Sequence, residues 1–208
     1  MATTFDLSIQ ISDFTTISKA RKALLLLIAN AISADVIADK AVQLLFICTH
    51  NSRRSQLAEV LTDLLAKHYG LDISAFSGGT EATAFAPEMI QAINAFGIQI
   101  IAEDDSDNPK YLVTELGEKT YFSKVYDEEC NPSSGFYALM VCNEADEACP
   151  AVQGAIHRFP LKYTDPKAAD DTPEVAEVYK ATVLEVGTEL NFLFHMLNKL
   201  RLNSTNRV

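Results

Sequence analysis

No apolar run in these 208 residues is long enough to cross a bilayer. The densest, Ala23 to Ile32, falls well short of the roughly 20 residues a spanning helix needs and contains Asn30. Positive charge is also scarce: 17 Lys and Arg face 28 Asp and Glu, a formal net charge of −11. Such a chain is poorly suited to nucleic acid or an anionic membrane, so neither is expected as a partner. Any anion it binds must be captured by a local site working against the global field. The four cysteines, Cys48, Cys130, Cys142 and Cys149, include no C-x-x-C pair. His50, His68, His157 and His195 share no ligand spacing on a helix face, which argues against a structural zinc site. Disulfide scaffolds belong to much shorter secreted domains, so reactive thiols in a reducing cytoplasm are the expectation. Lys19, Arg21 and Lys22 precede the apolar run and Ala29-Asn30-Ala31 resembles a cleavage site. The basic cluster comes too late for an export signal, and retention in the cytoplasm is expected.

What is present suits one domain with an extension. Apolar residues make up 48% and charged residues 22%, ordinary values for a chain with a full core. Residues 1–12 are polar and read as mobile. Residues 13–39 read as one or two helices, capped by Ser12 or Asp13, with Ala20, Leu24, Leu27, Ile28 and Ala31 at helical spacing. Ala41–Cys48 is a nearly continuous apolar run, the pattern of a central parallel strand. A helix follows from about Arg54 to His68 and ends at Gly70. A strand over Ile73–Ser77 closes on Gly78-Gly79, and a helix fits Pro87–Phe96. Ile98–Ile101 reads as a third strand. Residues 103–135 read as an irregular acidic insertion with a weak helical stretch at Tyr111–Glu118. Strands at Phe136–Cys142 and Ala155–Pro160 and a long amphipathic helix over 173–200 complete the pattern. Strands alternating with helices imply a parallel sheet with helices on both faces.

One segment concentrates chemistry. The strand ends at Cys48; Thr49, His50, Asn51, Ser52 and Arg53 form a polar loop; Arg54 and Ser55 open a helix. Backbone N–H groups of such a loop can cradle a tetrahedral oxyanion, and the helix N-terminus adds positive potential. Arg54 offers a planar fork for two oxygens. The same field should favour the Cys48 thiolate, and Ser55 can donate a hydrogen bond to it. Cys130 lies beside Asp127, Glu128 and Glu129 and reads as non-catalytic.

The Cys48-x-x-Asn51-x-x-Arg54-Ser55 segment resembles the phosphate-binding loop of the low-molecular-weight protein tyrosine phosphatase family. His50 stands where that signature has glycine, and Arg53 where it has a second cysteine. His50 is therefore expected to strain or shift the loop and to narrow its mouth. The resemblance covers roughly residues 41–198. It implies a flavodoxin-like three-layer sandwich with a four-stranded parallel sheet at 41–208, behind an N-terminal helical extension at 1–40. Cys142-x6-Cys149-Pro150 resembles the redox pair of the family's thioredoxin-coupled arsenate reductases, and Asp165-Pro166, sixteen residues past Cys149, its general-acid loop. This implies Cys48 as nucleophile, Asp165 as general acid and a Cys142/Cys149 relay drained by thioredoxin or a similar thiol donor. No cofactor is required on this reading, although Asn51 and Ser77 match positions that help bind a potassium ion in some members. Seven helical steps from Cys142 to Cys149 would hold their Cα atoms about 10.5 Å apart, beyond the ~7 Å limit for a disulfide. The segment must then be a loop or unwind. The alternatives are a phosphatase hydrolysing phosphomonoesters through a Cys48 phosphoenzyme, and a non-catalytic oxyanion or phosphoprotein binder. Lys167 follows the Asp-Pro where tyrosine phosphatases carry tyrosine, which weakens the phosphatase reading.

Overall fold

The computed structural model describes residues 11–149 and 151–205; residues 1–10, the start of the polar leader, and Pro150 lie outside them. A 3-10 turn at Phe14–Thr16 leads into α1 (Lys19–Ile37), then β1 (Val42–Cys48), α2 (Arg54–Tyr69), β2 (Ile73–Gly79) and α3 (Pro87–Ala95). Three short strands follow, β3 (Ile100–Ala102), β4 (Tyr111–Val113) and β5 (Thr120–Tyr121). The chain continues through β6 (Phe136–Met140), α4 (Asn143–Ala148), β7 (Ala155–Phe159), a 3-10 turn at Pro166–Ala169 and α5 (Val175–Thr205).

The main sheet has the order β2-β1-β6-β7, with every neighbouring pair parallel. Every residue of β1 except Gln43 is buried, so both faces of the sheet are covered there. This is the expected flavodoxin-like three-layer sandwich. Strand order reverses between β1 and β6, and in open α/β sheets ligands bind beyond the carboxyl ends of the strands at that switch point. Cys48 ends β1, and Cys142 follows β6 two residues after Met140. The topology therefore brings these two cysteines to one crevice.

α2 is set by its leucines, with Leu57, Leu61, Leu64 and Leu65 all buried, and it stops at Gly70 in the left-handed conformation with φ +59°. α1 is capped by Ser18, whose hydroxyl accepts from Arg21 N–H, while Asp13 caps the preceding 3-10 turn and not the helix. Leu25, Ile28 and Ile32 of α1 are fully buried in the same hydrophobic cluster as Leu45, Leu61 and Phe194. Arg21 Nε reaches both carboxylate oxygens of Glu189 on α5 at 2.7 and 2.8 Å, and its guanidinium lies 4.7 Å from the Tyr163 ring centre.

Two local expectations are corrected. The strand near Ile98–Ile101 does not join the parallel sheet: β3 pairs antiparallel with β4, which pairs with β5. Ile101 is 54% exposed, which a strand inside a sandwich would not allow. The stretch Tyr111–Glu118 is not helical, because Tyr-Leu-Val suits a pleated surface and pairs there as β4. The insertion thus pairs with β3 in a small antiparallel sheet and continues in a loop that returns to the crevice.

Truncating Ile28 to Ala should cost about 2–5 kcal/mol if α1 belongs to the common core. Urea denaturation followed by circular dichroism would then show one transition at a lower midpoint. An unchanged midpoint would mean that α1 folds apart from the rest.

Candidate active site

The loop between Cys48 and Arg54 is turned inside out by its surroundings. The Cys48 carbonyl accepts from Thr80 N–H, that of Thr49 from Glu81 N–H, and that of Ser52 from Ala86 N–H. The His50 carbonyl accepts from the hydroxyls of Thr83 and Ser123, that of Asn51 from the Gln56 amide, and that of Arg53 from Leu57 N–H. Each carbonyl in the loop is therefore held away from its centre. In a trans peptide the N–H of the next residue points opposite to the C=O, so the amides of residues 49–54 face the other way. The Cys48 sulfur marks that side, since Asn51 N–H donates to Sγ at 3.1 Å. A ring of N–H donors around a thiol is a cradle for a tetrahedral oxyanion.

The left-handed conformation that this loop requires falls on Asn51, with φ +46°, and not on His50. Asn tolerates that region far better than most residues, so the expected strain at His50 is absent. The His50 ring is half-exposed, with Nε2 3.8 Å from a Glu81 carboxylate oxygen. Asn51 is fully buried and locked: its Nδ2 donates to Ser55 Oγ and to Ser77 Oγ, both at 2.8 Å, and its Oδ1 accepts from Lys124 N–H at 2.8 Å. Gly79 makes the close fit possible. A Cβ there would overlap the Glu81 carbonyl and lie 2.5 Å from Thr49 O and 2.8 Å from Asn51 N.

Ser55 Oγ lies 3.0 Å from Cys48 Sγ. Burial nevertheless pushes the Cys48 thiol above its ordinary value; the Ser55 hydrogen bond opposes this, Cys142 adds to it, and Arg54 and Asn51 N–H oppose it. The expected stabilisers of the thiolate are all in place, and desolvation outweighs them. Cys142 is fully buried beside the loop, its Sγ 3.5 Å from Thr49 Oγ1.

Arg54 donates through Nη1 to the Tyr163 carbonyl at 2.9 Å and through Nη2 to Asp165 Oδ2 at 2.6 Å. Asp165 Oδ1 accepts from Lys167 N–H and caps the 3-10 turn. The structure thus brings Cys48, Arg54, Ser55, Cys142 and Asp165 into one crevice. The Arg53 side chain does not join the cradle. It donates to Tyr179 Oη at 2.9 Å and to Asp170 at 3.3 Å, tying the Asp165 loop and α5 to the start of α2. Sequence reasoning missed Tyr179, Asp170 and Tyr163, whose contacts span more than 100 residues and leave no local pattern.

Cys149 stands apart. α4 fills the interval, with Cys142 at its N-cap and Cys149 at its C-cap. The helix is held by Asp146, which pairs with Arg158 at 2.5 Å and Lys162 at 2.6 Å, and Arg158 also donates to the Cys149 carbonyl. A Cys142–Cys149 bond therefore requires α4 to unwind.

The positions matched to a potassium site do not fit a cation. Asn51 donates to Ser77 Oγ, and Ser77 Oγ in turn donates to the buried Glu59 carboxylate at 2.6 Å. Lys119 Nζ lies 3.0 Å and Lys124 Nζ 3.6 Å from that carboxylate, so two ammonium groups already face its oxygens.

Fold and site together define an α/β enzyme with a thiol set in an oxyanion cradle. Residues 43–112 match the model of the low molecular weight phosphotyrosine protein phosphatase family. The chain is 30% identical over 129 residues to an arsenate reductase of Halalkalibacterium halodurans, covering 62% of this chain and 77% of that protein. It is 29% identical over 130 residues to an arsenate reductase of Shouchella clausii, with the same coverage. A low molecular weight protein tyrosine phosphatase from T. tengcongensis shares the fold, with a TM-score of 0.52, 19% identity, and coverage of 74% of this chain and 98% of that one. The chain belongs to this phosphatase and arsenate reductase family.

Two measurements test the site. Gly79→Ala should abolish phosphate binding by calorimetry, because the new methyl displaces the loop backbone; unchanged affinity would contradict the close fit. Because the Cys48 thiol is held high, its alkylation by iodoacetamide should keep accelerating as pH rises above neutrality. A rate already level at pH 6 would contradict that direction.

Proposed function

We propose that the protein is an arsenate reductase with Cys48 as its nucleophile. The observation that carries this reading is the cradle: a loop whose carbonyls are bonded to its surroundings, with Asn51 N–H donating to the Cys48 thiol and a second buried cysteine beside Thr49. The relationship to arsenate reductases supports the choice of substrate.

The Cys48 thiolate attacks the arsenic of arsenate, held by loop amides and Arg54. One oxygen departs as water, taking a proton from Asp165, whose Oδ2 exchanges Arg54 for the leaving oxygen. The Cys142 thiolate then attacks Cys48 Sγ. The S–S bond forms, the As–S bond breaks, and its electron pair passes to arsenic, releasing arsenite. Cys149 attacks Cys142 Sγ and frees Cys48 as α4 unwinds. Thioredoxin or a similar dithiol reduces the Cys142–Cys149 bond by exchange. In sum, arsenate and two thiols give arsenite, water and a disulfide. No metal or cofactor takes part, and the reducing power places the reaction in the cytoplasm.

Phosphate and arsenate share shape and charge, and the cradle does not distinguish them. The separation of Cys142 from Cys149 favours a second reading, a phosphomonoester hydrolase in which water resolves a Cys48 phosphoenzyme. Against a non-catalytic binder stands the loop itself, which His50 and Arg53 leave unstrained.

Cys48→Ser should abolish arsenate reduction and aryl phosphate hydrolysis alike, since an alcohol is not ionised near neutrality. Cys149→Ser should stop arsenate-dependent NADPH oxidation, coupled through thioredoxin and its reductase, after about one turnover. It should leave hydrolysis intact and accumulate a Cys48–Cys142 disulfide visible by peptide mapping. Full multiple turnover in Cys149→Ser, or brisk hydrolysis with arsenate leaving Cys142 and Cys149 reduced, would replace the reductase reading with the phosphatase.

A further inference from the structure

Residues 160–165 form neither helix nor strand, yet both ends of the Arg54 guanidinium rest on them. Nη1 is held by the Tyr163 carbonyl and Nη2 by the Asp165 carboxylate, so the place of this strap sets where the fork points. Two anchors hold the strap, and both use α5. Downstream, Pro166 and Ala169 are buried in the 3-10 turn, and Asp170 accepts from the Tyr179 hydroxyl of α5 at 2.6 Å and from Arg53 at 3.3 Å. Upstream the anchor is Tyr163, 5% exposed, with Thr164 exposed between it and Asp165.

Tyr163 N–H donates to the Val141 carbonyl at 3.1 Å, which fixes the nitrogen of this residue and not its carbonyl. The rest of the hold is on the ring. Arg21 of α1 lies over it, with the guanidinium carbon 4.7 Å from the ring centre. Glu189 of α5 fixes Arg21 in turn, both carboxylate oxygens accepting from Nε at 2.7 and 2.8 Å. A guanidinium can lie flat on a ring and bind a carboxylate at once. The pair is largely desolvated, its side chains 19% and 7% exposed. Buried ion pairs add little stability over apolar packing of the same volume, so what this pair supplies is position. α1 precedes residues 43–112, the part that matches the family model, so this anchor is brought by the N-terminal extension.

We propose that Arg21 is a positioning residue for Arg54: by clamping the Tyr163 ring, the N-terminal helix seats the strap that aims the Arg54 fork at an oxyanion in the cradle. Arg21 acts through Tyr163 and not on the thiol, whose hydrogen bonds come from Ser55 and Asn51. The inference rests on the cradle holding a tetrahedral oxyanion and not on the reaction that follows. A failed arsenate assay would remove the reductase reading and leave it standing.

The test is protection of Cys48 from iodoacetamide by inorganic phosphate, with the alkylated cysteine located by peptide mapping. Removing Arg21 alone would strand the buried Glu189 carboxylate, so Arg21→Met is combined with Glu189→Leu. This double variant should keep the wild-type urea midpoint, because the apolar pair fills the same space. Its Cys48 should react at the wild-type rate when phosphate is absent. Half-protection should need about three- to tenfold more phosphate. Arg21→Lys keeps a charge beside Glu189 but offers no planar face to the ring, and should fall between the two. In an Arg54→Lys background the double substitution should cause no further loss, because its route to the oxyanion passes through Arg54. Wild-type protection in the double variant, a faster reaction of Cys48 without phosphate, or a full further loss in the Arg54→Lys background would each overturn the proposal. If the double variant does not fold, Arg21→Lys decides. Weaker protection at an unchanged unprotected rate supports the proposal, and protection equal to wild type overturns it. Phosphate that fails to protect even the wild type would remove the cradle itself, a result distinct from protection lost only in the variants.

Discussion

A turn that points every carbonyl outward cannot persist alone, because each outward carbonyl needs a donor waiting for it. Here the donors come from the whole rim of the crevice: Thr80, Glu81, Thr83 and Ala86 beyond β2, Ser123 from the insertion, and Gln56 and Leu57 from α2. By the planarity of the peptide unit the amides of residues 49–54 are turned the opposite way, and that of Asn51 donates to the sulfur. The cradle is therefore preorganised by the scaffold, and an entering oxyanion need not organise it. Gly79 and the locked Asn51 belong to the same constraint, one by leaving room and the other by taking the backbone angle the turn demands.

Charge is managed in two separate layers. Around the thiol, Arg54, Arg53, Asp165 and Asp170 form alternating pairs that include Tyr179 and connect the loop to the Pro166–Ala169 turn and α5. Behind it, Glu59, Asp63, Lys119 and Lys124 neutralise one another in the interior. The chain's net negative charge resides outside both. The anion site is thus electrostatically local, as a chain of this composition requires.

The strand, loop and helix from Val42 to Tyr69 were legible in the sequence because their signals are contiguous: an apolar run, a polar loop, a leucine periodicity and a closing glycine. Cys142 was legible for the same reason, at the end of a buried run. Asp165 carried no local signal beyond a turn-prone Asp-Pro and was found only through family order. The insertion was misread because its two short strands, β4 and β5, lack a period long enough to separate strand from helix. The strain assigned to His50 belonged one residue later, since a loop's positive φ is set by where its carbonyls find donors and not by which residue replaces a glycine. Lys119 and Lys124 could not be connected to Glu59 from sequence, as only the folded insertion brings them to α2.

The six-residue helix between Cys142 and Cys149 has a bearing on idle chemistry. While it stays wound, its hydrogen bonds and the Asp146 ion pairs hold the two sulfurs at opposite ends of a rigid spacer. A stray oxidant meets separated thiols, one of them fully buried, and cannot close a bridge without first melting the spacer. In the resting protein the two sulfurs therefore stay apart for as long as the helix between them stays wound.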